Sequence, residues 1–259
     1  MNRSLWTQTF TEWYSPPFPC PACGKGVLSL VPKSLVYQET AKSRRAHHDE
    51  DWSFQDAEYR FTARLKCGHS SCGDDVVMLG TGWIDEQMTQ EGSEPTKYFS
   101  AKFCVPMPDI VAIPQKCPPP VASELRASFA LFWADRAAAA NRIRAGVERI
   151  MDHFGIPKRQ RNKKGRFDPL YLHGRLKRFE KTDKIIADRL MAIKWLGNTG
   201  SHQSDEVTRD DILDALEILE DALVELFDQR TRRLAALTRS LMRRHEPSRK
   251  RKLTRPLTP

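Results

Sequence analysis

Four of the six cysteines sit at spacings that suit a metal ion better than a disulfide. Cys20 and Cys23 lie in CPACGKG, a C-x2-C pair followed by glycine, and Cys67 and Cys72 lie in KCGHSSCGD. Thiolates so spaced are ligands for a tetrahedral Zn2+, and the glycine permits the tight turn that aims backbone amides at sulfur. His69 also stands at knuckle spacing from Cys72, so either Cys67 or His69 would complete the tetrahedron. Cys67 is preferred, because thiolates dominate ribbon sites and a strand leads directly into it. With four ligands filled, no position stays open for water, and the Zn2+ is structural. Cys104 and Cys117 have no partner spacing and read as buried free thiols. His47 and His48, beside Asp49, Glu50 and Asp51, fall in a charged stretch (41–56) that reads as an inserted polar loop.

A second place where residues could do chemistry is KWLGNTGSHQ, residues 194–203. There an apolar helical pattern is expected to stop at Gly197, leaving Asn198 and His202 in a polar loop. An imidazole so placed could exchange a proton at a phosphodiester. The competing reading is a helix cap or loop anchor.

Two kinds of element must position these groups. EYRFTARLKC (58–67) alternates apolar and polar residues with a period of two, which predicts a half-buried strand. Further strands are expected within 26–32, 34–40, 75–84 and 97–105, so each cysteine pair sits against a strand. The proline-rich segment 105–123 reads as an extended connector through which no helix runs. Beyond it the apolar period changes to that of a helix. One long helix is expected over 122–154, a short one near 170–180, and another at 181–196 that buries Ile185, Leu190, Ile193 and Leu196. Thr208 with Asp211 forms a capping-box signal for a further helix, striped by Ile212, Leu216, Leu219, Leu223 and Leu226. That pattern extends to about Arg244.

The CPxCG knuckle, the proline-punctuated connector, the RAGVE helix and the late LGNTGSH before a leucine-rich helix together resemble a bacterial family of unknown function. That family is associated with restriction and defence proteins and grouped with the HEPN superfamily. The resemblance covers roughly residues 15–228 and implies that the helical part (122–228) is an all-α HEPN-like bundle. With the spacing and periodicity above, an α+β chain is expected: a small antiparallel zinc-ribbon-like β module (1–105), a connector (106–121), that bundle, and a basic helical extension and tail (229–259) that lies outside the resemblance. The resemblance also implies a metal-independent endoribonuclease, with His202 as proton carrier, Asn198 as its polar companion, and Arg144 and Glu148 as polar helix residues. Gly197 stands where the family's motif has arginine, leaving Lys194, one helical turn back, as the nearest cation. A homodimer and a defence-system partner protein are further implications.

Charge supplies an independent line. Residues 229–259 hold eleven Arg or Lys against Glu246 alone, and 157–167 hold six with no acid. Two such segments suggest a polyanion partner, RNA or DNA. The expected contacts are Lys158, Arg159, Arg161, Lys163 and Lys164, with Arg249, Lys250, Arg251 and Lys252 in the tail. No apolar run is long enough to span a membrane and no secretory signal is evident, so a cytoplasmic protein is expected. The alternative to the nuclease is a non-catalytic adapter that binds proteins through its ribbon and leucine-rich helix and contacts nucleic acid through its basic tail.

Overall fold

The computed structural model describes residues 1–89, 92–199, 207–228 and 230–245, without the side chains of 89, 195–199 and 230–232. The element order begins α1 (Ser4–Thr7), β1 (Leu28–Leu30), β2 (Val36–Glu39), α2 (Ala41–Ala46), β3 (Glu58–Cys67), β4 (Asp75–Thr89) and β5 (Gly92–Val105). It continues with α3 (Pro119–Leu131), α4 (Arg136–His153), β6 (Arg159–Arg161), β7 (Phe167–Pro169), α5 (Leu172–Phe179), α6 (Lys184–Thr199), α7 (Arg209–Leu223) and α8 (Arg230–His245). The chain is therefore α+β: an antiparallel sheet followed by helices.

The sheet is organised around β3, whose outer edge carries β1 and β2 end to end while β4 pairs along its other side and β5 pairs with β4. The period-two pattern does what it predicts. Phe61, Ala63, Leu65 and Cys67 are buried, and Thr62, Arg64 and Lys66 face solvent. Register then delivers the chemistry, because Leu28 opposite Cys67 sets the first knuckle beside the second.

The first residues of the chain, where no element is expected, complete the core. Phe10 bridges to Phe99 on β5. Trp6 and Phe18 pack with ring centroids 5.3 Å apart, and Phe18 meets Trp133 edge-on at 5.6 Å. Such aromatic pairs contribute about 0.5–1.5 kcal/mol each beyond their area. The indole N–H of Trp133 donates to the Trp6 carbonyl at 3.2 Å. One contiguous apolar cluster consequently runs from the sheet into the helices.

Several expectations on the helical part need correction. The connector's last prolines do enter a helix: Pro119 and Pro120 open α3, where their missing N–H groups have no intrahelical partner to lose. The expected single helix 122–154 is two helices. The chain turns at residues 132–135, and Asp135 restarts it as N-cap by accepting from the Ala138 N–H at 2.9 Å. Stretch 41–56 is not simply a loop, since Thr40 caps α2 and a 3-10 turn spans Phe54–Asp56. Gly197 does not stop α6, which runs on to Thr199; glycine permits a helix end without imposing one. Ile185 is exposed, and Ile186 and Ala187 are buried with Leu190 and Ile193. The helix is thus rotated from the expected phase. The side chain of Leu196 lies outside the described residues.

The basic run 157–167, expected as a polyanion contact and given no strand, closes the small hairpin β6–β7. After α7 a π-helical turn (Val224–Asp228) leads to α8. The signal for α7 was fully legible. Thr208 accepts from the Asp211 N–H at 3.1 Å, and Asp211 accepts from the Thr208 N–H at 2.8 Å. No described helix is long and apolar enough to cross a membrane.

Candidate metal centre and basic hairpin

Cys20 and Cys23 lie on the loop before β1, Cys67 ends β3, and Cys72 sits on the turn into β4. Each second cysteine is followed by a glycine with positive φ, Gly24 at 63° and Gly73 at 64°, a conformation that closes the knuckle and that other residues adopt with strain. The closing hydrogen bonds run from the Gly24 N–H to the Cys20 carbonyl at 2.8 Å and from the Cys72 N–H to the His69 carbonyl at 2.9 Å.

The sulfurs converge to the size of a metal site. A tetrahedron with sulfur about 2.3 Å from a central Zn2+ has edges of about 3.8 Å. Cys20 Sγ lies 3.8 Å from Cys72 Sγ, and Cys23 Sγ lies 3.8 Å from Cys67 Sγ. All four ligand atoms fall within 4.8 Å of one another, and all four cysteines are free thiols. Backbone amides point at the sulfurs: Gly26 N–H donates to Cys23 Sγ at 3.3 Å and His69 N–H to Cys67 Sγ at 3.4 Å. Such amides offset the charge of thiolates. The set could bind a metal ion such as Zn2+, and Cys67, not His69, belongs to it. His69 Nδ1 instead meets Ser71 Oγ at 3.0 Å.

The thiols also influence one another. Amide hydrogen bonds from Gly26 and Lys25 pull Cys23 down to about 6. An amide bond from Asp74 lowers Cys72, but desolvation and the three neighbouring thiols outweigh it and push that thiol up to about 12. Four sulfurs this close cannot all ionise without a cation between them.

Cys104 and Cys117 are buried, as expected for unpaired thiols, and lie outside the cluster. Burial raises Cys104 to about 12, and it raises Cys117 to about 11 despite Arg126.

The proposed catalytic residues are only partly described. Arg144 and Glu148 form an i,i+4 ion pair at 3.5 Å on α4, both part-exposed, while Arg144 Nε is buried with no hydrogen-bond partner among the described residues. Lys194 is half-buried on α6, which packs against α4. His202 and the side chain of Asn198 lie outside the described residues, as do Arg249, Lys250, Arg251 and Lys252.

The first basic segment is brought together. Arg159 and Arg161 project from β6, Lys163 and Lys164 from its turn, and Arg166 follows, all exposed. The Asn162 side chain fixes that turn by accepting from the Lys164 and Arg166 amides at 2.9 and 3.0 Å. Arg161 lies over the exposed Phe167 ring, 5.3 Å from its centroid. Lys158 sits at the hairpin base, 3.0 Å from Asp152.

That base has an anchor the sequence reading missed. Arg175 is buried on α5; it donates to Asp152 Oδ1 at 2.6 Å and to the Ile156 carbonyl at 2.8 Å, tying the end of α4 to α5. Partial burial pushes the Asp152 carboxyl up, but Lys158 and Arg175 outweigh it and hold it below the usual carboxylate range. No local pattern announces such a residue, because an arginine in a basic helix reads as surface.

Residues 8–106 are similar to a family described as a domain of unknown function, DUF8608. Residues 126–244 are similar to a second, DUF4145. No curated protein and no solved structure matches the chain. The first match covers the cysteine cluster and its sheet, and the second covers α4 through most of α8 together with the basic hairpin.

Proposed function

We propose that the protein is a nucleic-acid-binding protein, with RNA as its preferred ligand, whose zinc-stapled β module supports a HEPN-like helical bundle. The observation that carries this reading is the β6–β7 hairpin. It presents Arg159, Arg161, Lys163, Lys164 and Arg166 on an anchored turn, beside the exposed rings of Phe167 and Tyr171. Cations track phosphates, and aromatic faces stack on unpaired bases, so the combination favours single-stranded RNA over a closed duplex. Zn2+ at Cys20, Cys23, Cys67 and Cys72 ties two loops to each other and takes no part in chemistry.

The resemblance adds a reaction to this reading: metal-independent cleavage of RNA, with His202 exchanging the proton and Lys194 holding phosphate charge. A cytoplasmic homodimer working in phage defence or restriction is its natural setting. Cleavage that survives chelator and disappears in His202→Ala supports that reaction; equal cleavage by the variant excludes it.

Binding is tested apart from cleavage. Fluorescence anisotropy with labelled single-stranded RNA and the full chain should show saturable binding. Arg161→Glu with Lys164→Glu should weaken it by about tenfold or more. Unchanged affinity in that variant would remove the hairpin from the account.

A further inference from the structure

We infer that α8 is a docking helix for a partner protein, and that its occupant is an amphipathic helix with a leucine stripe flanked by acids. The 16-residue helix is about 24 Å long, and among the described residues the only element it packs against appreciably is the π-helical turn before it. Leu234, Leu237 and Leu241 follow one another at steps of three and four, and they remain 49%, 51% and 53% exposed. In α7 the comparable stripe of Ile212, Leu216, Leu219 and Leu223 is wholly buried. The chain therefore carries the same kind of seam twice, covered the first time and open the second.

The chemistry around the open seam selects its occupant. At about 100° per residue, the three leucines span an arc of about 60°, and the exposed Met242 lies about 80° beyond its edge, on the side away from Arg233 and Arg244. Arg233 and Arg244 fall on one flank of the seam and Arg239 and Arg243 on the opposite face, all exposed. No acid occurs between residues 230 and 245. Pairing with a second copy of α8 would set arginines against arginines, since flanking charges decide partner choice in such seams. RNA would meet the arginines but leave the leucines in water. An acidic leucine-striped helix satisfies both at once.

The test uses the full-length protein and three synthetic heptad peptides, followed by calorimetry. The first carries Leu at the seam and Glu on its flanks, the second Leu with Lys, and the third Ser with Glu. The first should bind saturably and about tenfold tighter than either control. Leu237→Asp with Leu241→Asp should abolish that binding and leave the far-UV circular dichroism intact, since both side chains point to solvent. Arg233→Glu with Arg244→Glu should transfer the preference to the lysine peptide without touching the seam. Equal binding of the serine peptide would reduce the effect to bulk charge and overturn the inference. So would a dimer, or vesicle binding, that the leucine variant dissolves. RNA affinity measured on the same variants reports separately on the hairpin.

Discussion

A Cβ on Gly26 would stand 2.3 Å from Cys67 Sγ. The absence of a side chain at residue 26 is therefore part of the metal centre, because it lets β3 bring its last sulfur against the first knuckle. The Gly26 amide itself donates to Cys23 Sγ at 3.3 Å. Gly26→Ala should displace one ligand and destabilise the β module by about 1–3 kcal/mol, the usual range for overpacking. Elemental analysis gives the check: about one zinc per chain in the wild type and clearly less in the variant. Thermal melts with and without chelator should differ for the wild type and nearly coincide for the variant.

The four cluster thiols and the two outside the cluster should separate by reactivity. In metal-free protein, limiting iodoacetamide should modify Cys23 first, because amide hydrogen bonds hold it down to about 6. Its thiolate persists above that pH, and labelling should fade as pH falls through it. Cys72, raised to about 12, should lag, and Cys104 and Cys117 should react only after denaturation. Zinc should protect all four ligands. Mass spectrometry of the labelled peptides reads the order directly, and early labelling of Cys104 would contradict it.

Arg175 and Asp152 carry a pH-dependent share of stability. Truncating the buried guanidinium in Arg175→Ala should cost about 3 kcal/mol, since it leaves Asp152 and the Ile156 carbonyl without their main donor. The Asp152 carboxyl is held below its ordinary value. Its contribution is present above the unfolded carboxylate value of about 3.9 and is lost as pH falls through the lower folded value. The stability gap between wild type and Asp152→Asn in urea should thus be largest near neutrality and close in acid. A gap that stays constant down to the acid limb would show that the carboxyl's charge is not what stabilises.

How much of this was legible in the sequence depended on whether the signal was local. Cysteine spacing and the alternation of β3 pointed to the four cysteines that cluster, because period and spacing survive folding unchanged. Thr208 and Asp211 announced α7 for the same reason: both partners of the cap lie within one turn. The division between α3 and α4 escaped because apolar residues continue through Phe132 and Trp133, and only the Asp135 cap marks the restart. Ile185 and Ile186 are equally apolar neighbours, and tertiary packing alone decided which of them is buried. Trp6, Phe10 and Phe18 carry no periodicity, yet they form the wall where the sheet meets Trp133. The basic hairpin was visible as charge and invisible as structure, since Asn162 and Gly165 in a run of cations suggest a loop before they suggest paired strands.

The salt dependence of RNA binding counts the hairpin cations that meet phosphate. Each phosphate neutralised on a single strand contributes about 0.7 to the slope of log affinity against log salt. Lys163→Ala with Lys164→Ala removes two exposed cations at the hairpin tip without touching its Asn162 turn or its Arg175 anchor. The slope should become shallower by about 1.4, with weaker affinity at every salt concentration. An unchanged slope at unchanged affinity would contradict it.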